Sequence, residues 1–287
     1  MILFDFSGII AASFVRSQEL FETVNDELGC RHFVLNSLRA STRKFKSKYG
    51  TPVLCLDDRR YWRKGKFSQY KQSRKQKRSE STIDWEKLFR YKNQIIDELK
   101  GVYPGKVIQV DNCEADDLIA VLSRRQEQSI IISRDTDFCQ LQINTDVKLF
   151  DPIEHRFRTS TDPMKDFQKK LIRGDIGDGI PSILMPDDSI VSGIRAKPVR
   201  QTFIDNLTDS CDTISDLENK IKETQSAEVF QYWCRNREMI DFDYIPDHLV
   251  SAINQKYDST AIPKRDNFLS YLIQHKLGPL IESLQEF

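Results

Sequence analysis

Short apolar runs alternate with segments of helical periodicity along the first 160 residues of the chain. The runs are rich in β-branched and other apolar residues and lie at residues 2–6, 53–57, 107–110, 129–133 and 147–150. Segments between them place apolar residues three or four positions apart, as in 34–49, 85–99 and 115–122. This alternation predicts an α/β fold with a largely parallel central sheet that is flanked by helices on both faces.

The pattern changes after residue 160, where polar segments of helical spacing replace the strand-like runs. Ser215 and Glu218 form a candidate capping box there, as Ser81 and Asp84 do before the helix predicted at 85–99. Residues 251–287 indicate helices that are interrupted near Pro263. We therefore expect two domains, with residues 1–160 as the α/β core and residues 161–287 as a smaller helical C-terminal domain.

Composition narrows the class of protein further. The chain has 287 residues with 43 Lys and Arg against 43 Asp and Glu, so its formal net charge is zero. A neutral sum argues against a nucleic-acid binder unless the two signs are segregated along the chain. No apolar run approaches the roughly 20 residues of a membrane span, and the amino terminus lacks the basic region of a secretory signal. Six scattered cysteines without a C-x-x-C pair indicate reduced thiols, and we expect a cytoplasmic protein.

Acidic residues lie at or just beyond the carboxyl ends of three predicted strands, and others begin the helix that follows the strand at 107–110. Taken singly, each is more simply a helix cap, a first-turn acid or a turn residue. Their joint occurrence at strand ends favours a common site, because open parallel sheets bind ligands beyond the carboxyl ends of their strands. The acids are Asp5, Asp57, Asp58, Glu114, Asp116, Asp117, Asp135 and Asp137, with Asp175 and Asp178 in a later glycine-rich turn.

A cluster of carboxylates requires a neutralising cation, since like charges raise one another's pKa values. Oxygen donors without His or Cys select Mg²⁺ or Mn²⁺. The number of acids exceeds what one Mg²⁺ needs, and two ions ~3.5–4 Å apart are a common arrangement for phosphodiester hydrolysis. We therefore expect two Mg²⁺ ions, with Mn²⁺ as a substitute. The choice between Asp57 and Asp58 as ligand stays open, and Asp117 is the weakest candidate because it faces away from Asp116 on a helix.

Residues 59–80, the basic segment, follow the second predicted strand directly. Ten of the twenty residues at 59–78 are Lys or Arg, none is acidic, and aromatic residues interrupt them. Cations neutralise phosphates and aromatic rings stack on unpaired bases, so this combination indicates binding of nucleic acid, whereas a charge run alone would indicate a solvated loop. Repulsion between like charges predicts that residues near 63–78 are mobile without substrate. The expected contacts are Tyr61, Trp62, Arg63, Lys64, Tyr70, Lys71, Arg74 and Lys75.

Seven motifs follow one another along the chain. They are Asp5 after the first strand, LCLDD at 54–58, YWRK at 61–64, YKQSR at 70–74, EADDLIAV at 114–121, IISRDTDF at 131–138 and GDIGD at 174–178. Their order resembles the flap-endonuclease-like 5′-nucleases, and within them the ribonucleases H of T-even-type phages almost end to end. The resemblance implies a nuclease core, a flexible basic arch over the metals and a helical C-terminal lobe. It implies 5′-to-3′ exonuclease and flap endonuclease action on RNA–DNA and DNA duplexes, for primer removal in lagging-strand replication.

The resemblance also implies roles for single residues. Arg63 and Lys71 would hold the scissile phosphate, and catalysis would depend on them together with Asp116 and Asp135. Expected partners are a single-stranded-DNA-binding protein and a sliding clamp, with the chain itself a monomer. The implied ligands are Asp5, Asp57, Glu114 and Asp116 for the first ion, and Asp135, Asp137, Asp175 and Asp178 for the second, with Asp116 between the two.

Three other classes of protein share part of this pattern. A non-catalytic nucleic-acid-binding or scaffold protein could balance acids against basic patches, and it would bind nucleic acid regardless of Mg²⁺ and release no products. A phosphatase of the haloacid-dehalogenase type needs a second Asp two residues after Asp5, where Ser7 stands. A PIN-type endoribonuclease shares the acids but lacks a long basic segment.

Overall fold

The computed structural model of the protein describes residues 1–20, 26–126, 128–143, 146–194 and 198–287. In chain order its strands and α-helices are β1 (Ile2–Asp5), α1 (Phe6–Leu20), α2 (Asp26–Tyr49), β2 (Pro52–Leu56), α3 (Trp62–Lys66), α4 (Ser73–Ser79), α5 (Trp85–Leu99), β3 (Lys106–Gln109), α6 (Ala115–Ser123), β4 (Ile130–Ile132), β5 (Lys148–Asp151), β6 (Arg156–Arg158), α7 (Pro163–Arg173), α8 (Gln201–Thr208), α9 (Ile214–Thr224), α10 (Ala227–Ile240), α11 (Asp247–Ser259), α12 (Arg265–Gln274) and α13 (Gly278–Ile281). Short 3₁₀ helices span Thr136–Gln142, Phe242–Tyr244 and Leu284–Glu286.

The six strands form one sheet in the order β3-β2-β1-β4-β5-β6. Strands β1 to β5 pair in parallel, and β6 pairs antiparallel with β5 at the edge. The chain runs outward from β1 to β2 and β3 on one side, and β4 and β5 follow on the other side. The predicted α/β fold with a largely parallel sheet is thus confirmed. The strand order reverses beside β1, which is where such sheets bind ligands at their carboxyl edge.

The chain forms two compact units. The core unit comprises residues 1–59, 83–159 and 247–287, and the helical unit comprises residues 60–82 and 160–246. These units differ from the expected domains in two segments. Nearly all of the basic segment belongs to the helical unit, and the last helices belong to the core unit because their apolar side chains are part of its hydrophobic cluster.

Helices cover both faces of the sheet in the core unit. Phe4 and Leu54 point to the face that α1, α2, α5 and α12 cover, and they join one cluster of buried apolar side chains. Leu3 and Cys55, which alternate with them along the strands, are also fully buried and point to the opposite face, where α6 and α11 lie. The burial of both faces explains why the strands appear as continuous apolar runs in the sequence.

Local hydrogen bonds place several helix ends away from their predicted positions. Helix α5 has Asp84 as its N-cap, with Asp84 accepting the Lys87 backbone N–H at 2.9 Å, so Ser81 is not the cap. Helix α9 has a capping box of Thr213 and Asp216, which lies two residues before the expected pair, Ser215 and Glu218. The predicted interruption near Pro263 is confirmed, since α11 ends and α12 begins on either side of it.

The helical unit consists of α3, α4 and α7 to α10, with the 3₁₀ helix Phe242–Tyr244. Trp233 is fully buried on α10, and the neighbouring Asn236 donates from Nδ2 to the Leu171 carbonyl at 2.7 Å, which fixes α10 against α7. Within the described ranges, none of the helices combines the length and the apolar character that a bilayer crossing requires.

Candidate active site

Asp5 ends β1 at the carboxyl edge of the sheet. Its carboxylate accepts hydrogen bonds from Ser133 Oγ at 2.8 Å and from the Gly8 backbone N–H at 3.3 Å. Burial, the charge of Asp57 and, more weakly, the charge of Asp135 raise the pKa of Asp5 to about 6, against the effect of these hydrogen bonds. Asp5 therefore lies in a cluster of like charges.

Asp57 follows β2 and is held by donors on both carboxylate oxygens. Oδ1 accepts the Ala115 backbone N–H at 3.0 Å. Oδ2 accepts a hydrogen bond from Ser7 Oγ and lies 3.3 Å from Lys92 Nζ. Lys92 also donates to Ser7 Oγ at 2.7 Å, so that Asp57, Ser7 and Lys92 form a triangle beside Asp5.

Asp58 is engaged differently from Asp57. Its Oδ2 accepts the Asn112 backbone N–H at 2.8 Å, and its own backbone N–H donates to the Cys113 carbonyl at 2.9 Å. These bonds tie the end of β2 to the loop that precedes α6. Of the two acids that the sequence leaves open, Asp57 is thus the one coupled to Asp5, whereas Asp58 stabilises a loop.

Three acids lie at the start of α6, and they make different contacts. Asp117 is fully buried and accepts the Glu114 backbone N–H at 2.9 Å, so it caps the helix, in agreement with its weak standing as a ligand. Burial and the charges of Asp5, Asp116 and Asp57 raise the pKa of the Cys55 thiol on β2. Asp5, Asp57 and Asp116 therefore all lie near enough to Cys55 for their charges to act on its thiol. Glu114 is buried at the N-cap position of the helix.

Asp135 and Asp137 lie beyond the end of β4. Asp135 is the N-cap of the 3₁₀ helix Thr136–Gln142, and its Oδ1 accepts the Asp137 backbone N–H at 2.8 Å. The backbone N–H of Asp135 donates to Ser133 Oγ at 3.0 Å, and Ser133 in turn donates to Asp5. A short hydrogen-bonded path therefore joins the acids that follow β1 and β4.

In the helical unit, a tight turn positions Asp175 and Asp178. The backbones of Asp175 and Ile180 exchange two hydrogen bonds of 2.7 and 2.8 Å, and Asp175 Oδ1 accepts the Asp178 backbone N–H at 3.1 Å. Lys170 Nζ lies 3.1 Å from Asp175 Oδ2. Although burial acts to raise it, the pKa of Asp175 is held below its ordinary value by the charge and hydrogen bonding of Lys170.

Asp178 brings the turn and the basic segment together within the helical unit. Tyr70 donates from its hydroxyl to Asp178 Oδ2 at 3.1 Å, and Lys71 Nζ lies 3.5 Å from the same oxygen. The Arg74 guanidinium pairs with Asp178 Oδ1. The Lys71 backbone N–H also donates to the Asp178 carbonyl at 2.7 Å. Three residues of the predicted nucleic-acid contact thus surround one predicted metal ligand.

Other residues of the basic segment make contacts that the run of charge alone did not predict. Arg63 is buried, donates from Nε to the Met239 carbonyl at 2.9 Å and stacks 4.5 Å from the Trp62 ring centroid. Contact of Arg63 with a phosphate therefore requires it to change conformation. Lys66 pairs with Glu238 at 2.9 Å, so acids of α10 and of the turn offset the repulsion that led us to expect a flexible segment. Lys64 is exposed, Tyr61 is half-buried, and the side chain of Lys75 lies outside the described residues.

The predicted ligands are suited to divalent ions by their chemistry more than by their present positions. Among the described residues, no three Asp, Glu, His or Cys side chains are positioned to hold one metal ion. The donor chemistry nevertheless fits a divalent ion, because carboxylate oxygens are hard ligands and repel one another at the sheet edge. Lysine side chains already lie beside three of the acids, where a metal ion would supply positive charge in the same way. The pairs are Lys92 with Asp57, Lys170 with Asp175, and Lys71 with Asp178.

Sequence reasoning missed four side chains that contact the predicted ligands: Ser7, Lys92, Ser133 and Lys170. Ser7 and Ser133 lie two residues from Asp5 and Asp135, and a search for hydroxyls beside strand-end acids would have found them. Lys92 has no such signal, because it is 35 residues from Asp57 in sequence and only the packing of α5 brings the two together.

Comparisons with known proteins support this description of the fold. The family model "5′-3′ exonuclease, N-terminal resolvase-like domain" matches residues 1–171, and the model "T4 RNase H, C terminal" matches residues 161–287. A ribonuclease H of Enterobacteria phage T4 is 32% identical to the chain over 297 residues, which covers 99% of the chain and 95% of the relative.

Two solved structures from phage T5 share the fold at low sequence identity. A 5′-exonuclease with bound divalent metal ions (zinc) is 15% identical, with a TM-score of 0.58 over 96% of the chain and 98% of the T5 chain. A flap endonuclease in a pseudo-enzyme–product complex with DNA and metal ions is also 15% identical, with a TM-score of 0.54 over 90% and 99% of the two chains. Because the exonuclease model covers more than half of the sequence and the phage T4 relative aligns with nearly all of it, the chain belongs to the 5′-3′ exonuclease family of nucleases.

Proposed function

We propose that the protein is a 5′-to-3′ exonuclease and flap endonuclease that hydrolyses phosphodiester bonds in RNA–DNA and DNA duplexes. The observation that carries the proposal is the pairing of Asp5 and Asp57 at the carboxyl edge of the sheet, where burial and the charge of Asp57 raise the pKa of Asp5. Such a cluster is costly to fold without a cation and suits an enzyme that acts on phosphates. The relative from phage T4 is named a ribonuclease H, and one phage T5 neighbour is a flap endonuclease in complex with DNA.

Two Mg²⁺ ions, replaceable by Mn²⁺, serve this reaction in our proposal. When bound, they stabilise negative charge on the phosphate and favour deprotonation of the attacking water. The bound metal ions of the two phage T5 proteins support a metal-dependent reaction. The proposed ligands are Asp5, Asp57, Glu114, Asp116, Asp135 and Asp137 in the core unit, and Asp175 and Asp178 in the helical unit.

The basic segment supplies substrate contacts in this proposal. Lys71 and Arg74 now pair with Asp178, and a phosphate would compete with that carboxylate for both cations. Their positive charge then offsets the charge that develops on the phosphate, which is the main source of catalysis in phosphoryl transfer. Tyr61 and Trp62 provide rings on which unpaired bases stack. Arg63 joins these contacts after it leaves the Met239 carbonyl.

The biological role that suits this activity is primer removal during lagging-strand replication in the cytoplasm of a phage host. The resemblance to the ribonuclease H of phage T4 supports this part of the proposal, because a primer is the RNA strand of an RNA–DNA hybrid. In this role the protein acts as a monomer, with a single-stranded-DNA-binding protein and a sliding clamp as its proposed partners.

The proposal is tested with a 5′-labelled flap duplex and an RNA–DNA hybrid, each incubated with Mg²⁺, with Mn²⁺ and with a chelator. We expect short 5′-labelled products with either metal and none with the chelator. Binding that is indifferent to Mg²⁺, without products, would instead identify a non-catalytic nucleic-acid-binding protein.

A variant pair sharpens this test. Asp135→Asn removes a proposed ligand, and we expect cleavage to fall by at least ~10³-fold while the affinity for the flap duplex stays close to that of the wild type. Asp258→Asn is the control, because Asp258 is an acid of α11 that pairs with Arg125 at 2.8 Å, and cleavage should not change. Full turnover by Asp135→Asn would refute the ligand assignment.

A further inference from the structure

Lys92 brings a fixed positive charge to the acid cluster of the core unit. Its Nζ lies 2.7 Å from Ser7 Oγ and 3.3 Å from Asp57 Oδ2. Only 18% of the Lys92 side chain and 26% of the Asp57 side chain are exposed, so solvent screens this pair less than a surface ion pair. The charge of Lys92 therefore acts strongly on the carboxylate beside it.

The position of Lys92 is set by the packing of α5. The preceding residue Tyr91 is buried, as are Leu88, Ile95 and Ile96 on the same helix. These contacts anchor the helix in the core unit and place Lys92 on its edge toward β1 and β2. Lys100, at the end of the same helix, is 45% exposed and pairs with its near neighbour Asp97 at 3.4 Å. Lys92 is thus directed at the acid cluster, whereas Lys100 is directed at solvent.

We propose that Lys92 is a resident counter-ion of Asp57 that competes with a divalent ion for this carboxylate and so sets the metal concentration the enzyme needs. The inference rests on the proposed metal-dependent function. An ion that binds Asp57 Oδ2 must displace the ammonium group or tolerate its repulsion at close range. Lys92 is therefore a positioning residue: with Ser7 it holds Asp57 in place before metal binds, and it weakens metal binding in return.

The balance of charge gives the direction of the effect. Asp5 ends β1 beside β2, which Asp57 follows, and Ser133 Oγ links Asp5 to Asp135, so these three carboxylates outnumber the Lys92 ammonium beside them. The cluster therefore has an excess of negative charge even with Lys92 present. Removing Lys92 increases this excess, which destabilises the metal-free protein and strengthens its attraction for a divalent ion. If Lys92 only held Asp57 in place and did not compete with the metal ion, the result would be the opposite, because its loss would weaken metal binding.

The test uses the full chain without nucleic acid, and the probe is Mg²⁺ or Mn²⁺ alone. Calorimetric titration of Lys92→Met, which keeps the length of the side chain but removes its charge, should show metal binding about tenfold tighter than in the wild type. Lys92→Arg keeps the charge and should stay close to the wild type. Lys100→Met is the matched control on the same helix and should also leave the affinity unchanged.

Thermal unfolding gives a second readout. Lys92→Met should melt at a lower temperature than the wild type in the presence of a chelator, and metal should raise its melting temperature by more. If Lys92→Met does not fold, Lys92→Gln supplies an equivalent uncharged variant. Unchanged or weaker metal binding in these uncharged variants would overturn the inference.

A double-variant cycle ties the effect to Asp57. In an Asp57→Asn background, removal of the charge at Lys92 should no longer tighten metal binding, because the carboxylate for which the two cations compete is absent. A tenfold tightening that persists in this background would overturn the pairing with Asp57. A wild-type chain that binds neither Mg²⁺ nor Mn²⁺ would refute the proposed function itself, which distinguishes that failure from failure of the inference.

Discussion

The raised pKa of Asp5 links the stability of the metal-free protein to pH. In the folded chain this pKa is about 6, above its ordinary value of 3.8, because burial and the charge of Asp57 disfavour the ionised carboxylate. The folded state therefore binds this proton more tightly than the unfolded state does. The resulting stabilisation is fully present below pH 3.8 and is lost as the pH rises through about 6.

Asp5→Asn should therefore stabilise the metal-free protein at pH 7, by up to ~3 kcal/mol for a shift of two pKa units. The gain should shrink toward pH 4, where Asp5 is protonated in the folded chain. Urea unfolding in the presence of a chelator at both pH values measures this difference. An equal loss of stability at both values would show that Asp5 is not under electrostatic strain.

Asp57 and Asp58 allow a direct comparison of two adjacent carboxylates. Asp57→Asn should reduce the single-turnover cleavage rate by ~10²-fold or more, because it removes charge from the coupled acid cluster. Asp58→Asn should change this rate by less than about fivefold, since an amide oxygen can still accept the Asn112 backbone N–H. Equal losses in the two variants would place both residues in the site.

At the scale of elements, the turn that carries Asp175 and Asp178 depends on a glycine. Gly179 has φ of +79°, and a Cβ at this position would lie 2.9 Å from the Gln69 carbonyl oxygen of the basic segment. The absence of a side chain thus lets the turn approach the segment closely enough for the Lys71 N–H to reach the Asp178 carbonyl. Two elements that are about one hundred residues apart in sequence are joined in this way.

Gly179→Ala should destabilise the helical unit through both backbone strain and this close approach. Gly193→Ala is the matched control, because Gly193 also has positive φ, but no atom of the described residues lies within 4 Å of a Cβ built there. We expect a cost of ~1–2 kcal/mol for Gly193→Ala and a further ~1–3 kcal/mol for Gly179→Ala, both measured by urea unfolding. Equal costs would mean that the contact with Gln69 contributes nothing.

The sequence predicted the elements well where burial produces a strong pattern. Strands β1, β2 and β4 are buried along nearly their whole length, so each gives a continuous apolar run that is easy to recognise. Strand β6 was missed because its sequence, Arg156–Phe157–Arg158, has two exposed residues and only edge pairing. The caps of α5 and α9 were misplaced because several Ser, Thr and Asp residues near each start could serve, and tertiary packing chooses between them.

The candidate site was predictable to the same extent and for the same reason. Acids that follow parallel strands meet at one edge, so Asp5, Asp57 and Asp135 could be grouped from the sequence. The different directions of Asp57 and Asp58 could not be predicted from the sequence, because they depend on the loop whose Asn112 N–H bonds Asp58. Lys92 could not be found at all, since its partner lies on a different element.

At the scale of the whole molecule, the last helices complete the core unit. Phe268 on α12 is fully buried, with its ring centroid 4.7 Å from that of Phe287 and 6.2 Å from that of Tyr103. Phe268→Ala should cost ~3–5 kcal/mol of unfolding free energy. Phe89→Ala, at a position that is 37% exposed on α5, should cost less than ~1 kcal/mol. Similar costs for the two variants would show that the last helices are not integral to the core.

The zero net charge of the chain conceals a segregated distribution. The basic segment concentrates Lys and Arg in one part of the chain. Because such cations release counter-ions when they contact phosphates, its affinity for nucleic acid should fall steeply with salt even though the chain is neutral overall. Lys64→Ala at an exposed position should reduce the slope of log affinity against log salt by about 0.9, measured by fluorescence anisotropy on a flap duplex. Lys220→Ala, on α9, is the control and should leave the slope unchanged. Salt-independent binding would contradict a phosphate contact.

The discontinuous core unit has a consequence for synthesis on the ribosome. Strands β1 to β6 emerge before residue 160, but α11, α12 and α13 emerge only after the entire helical unit has been translated. Until then, the apolar surface that Phe268, Leu272 and Phe287 will cover stays open. The nascent core unit therefore cannot close during translation, and its exposed apolar surface should be prone to aggregation until the final helices dock.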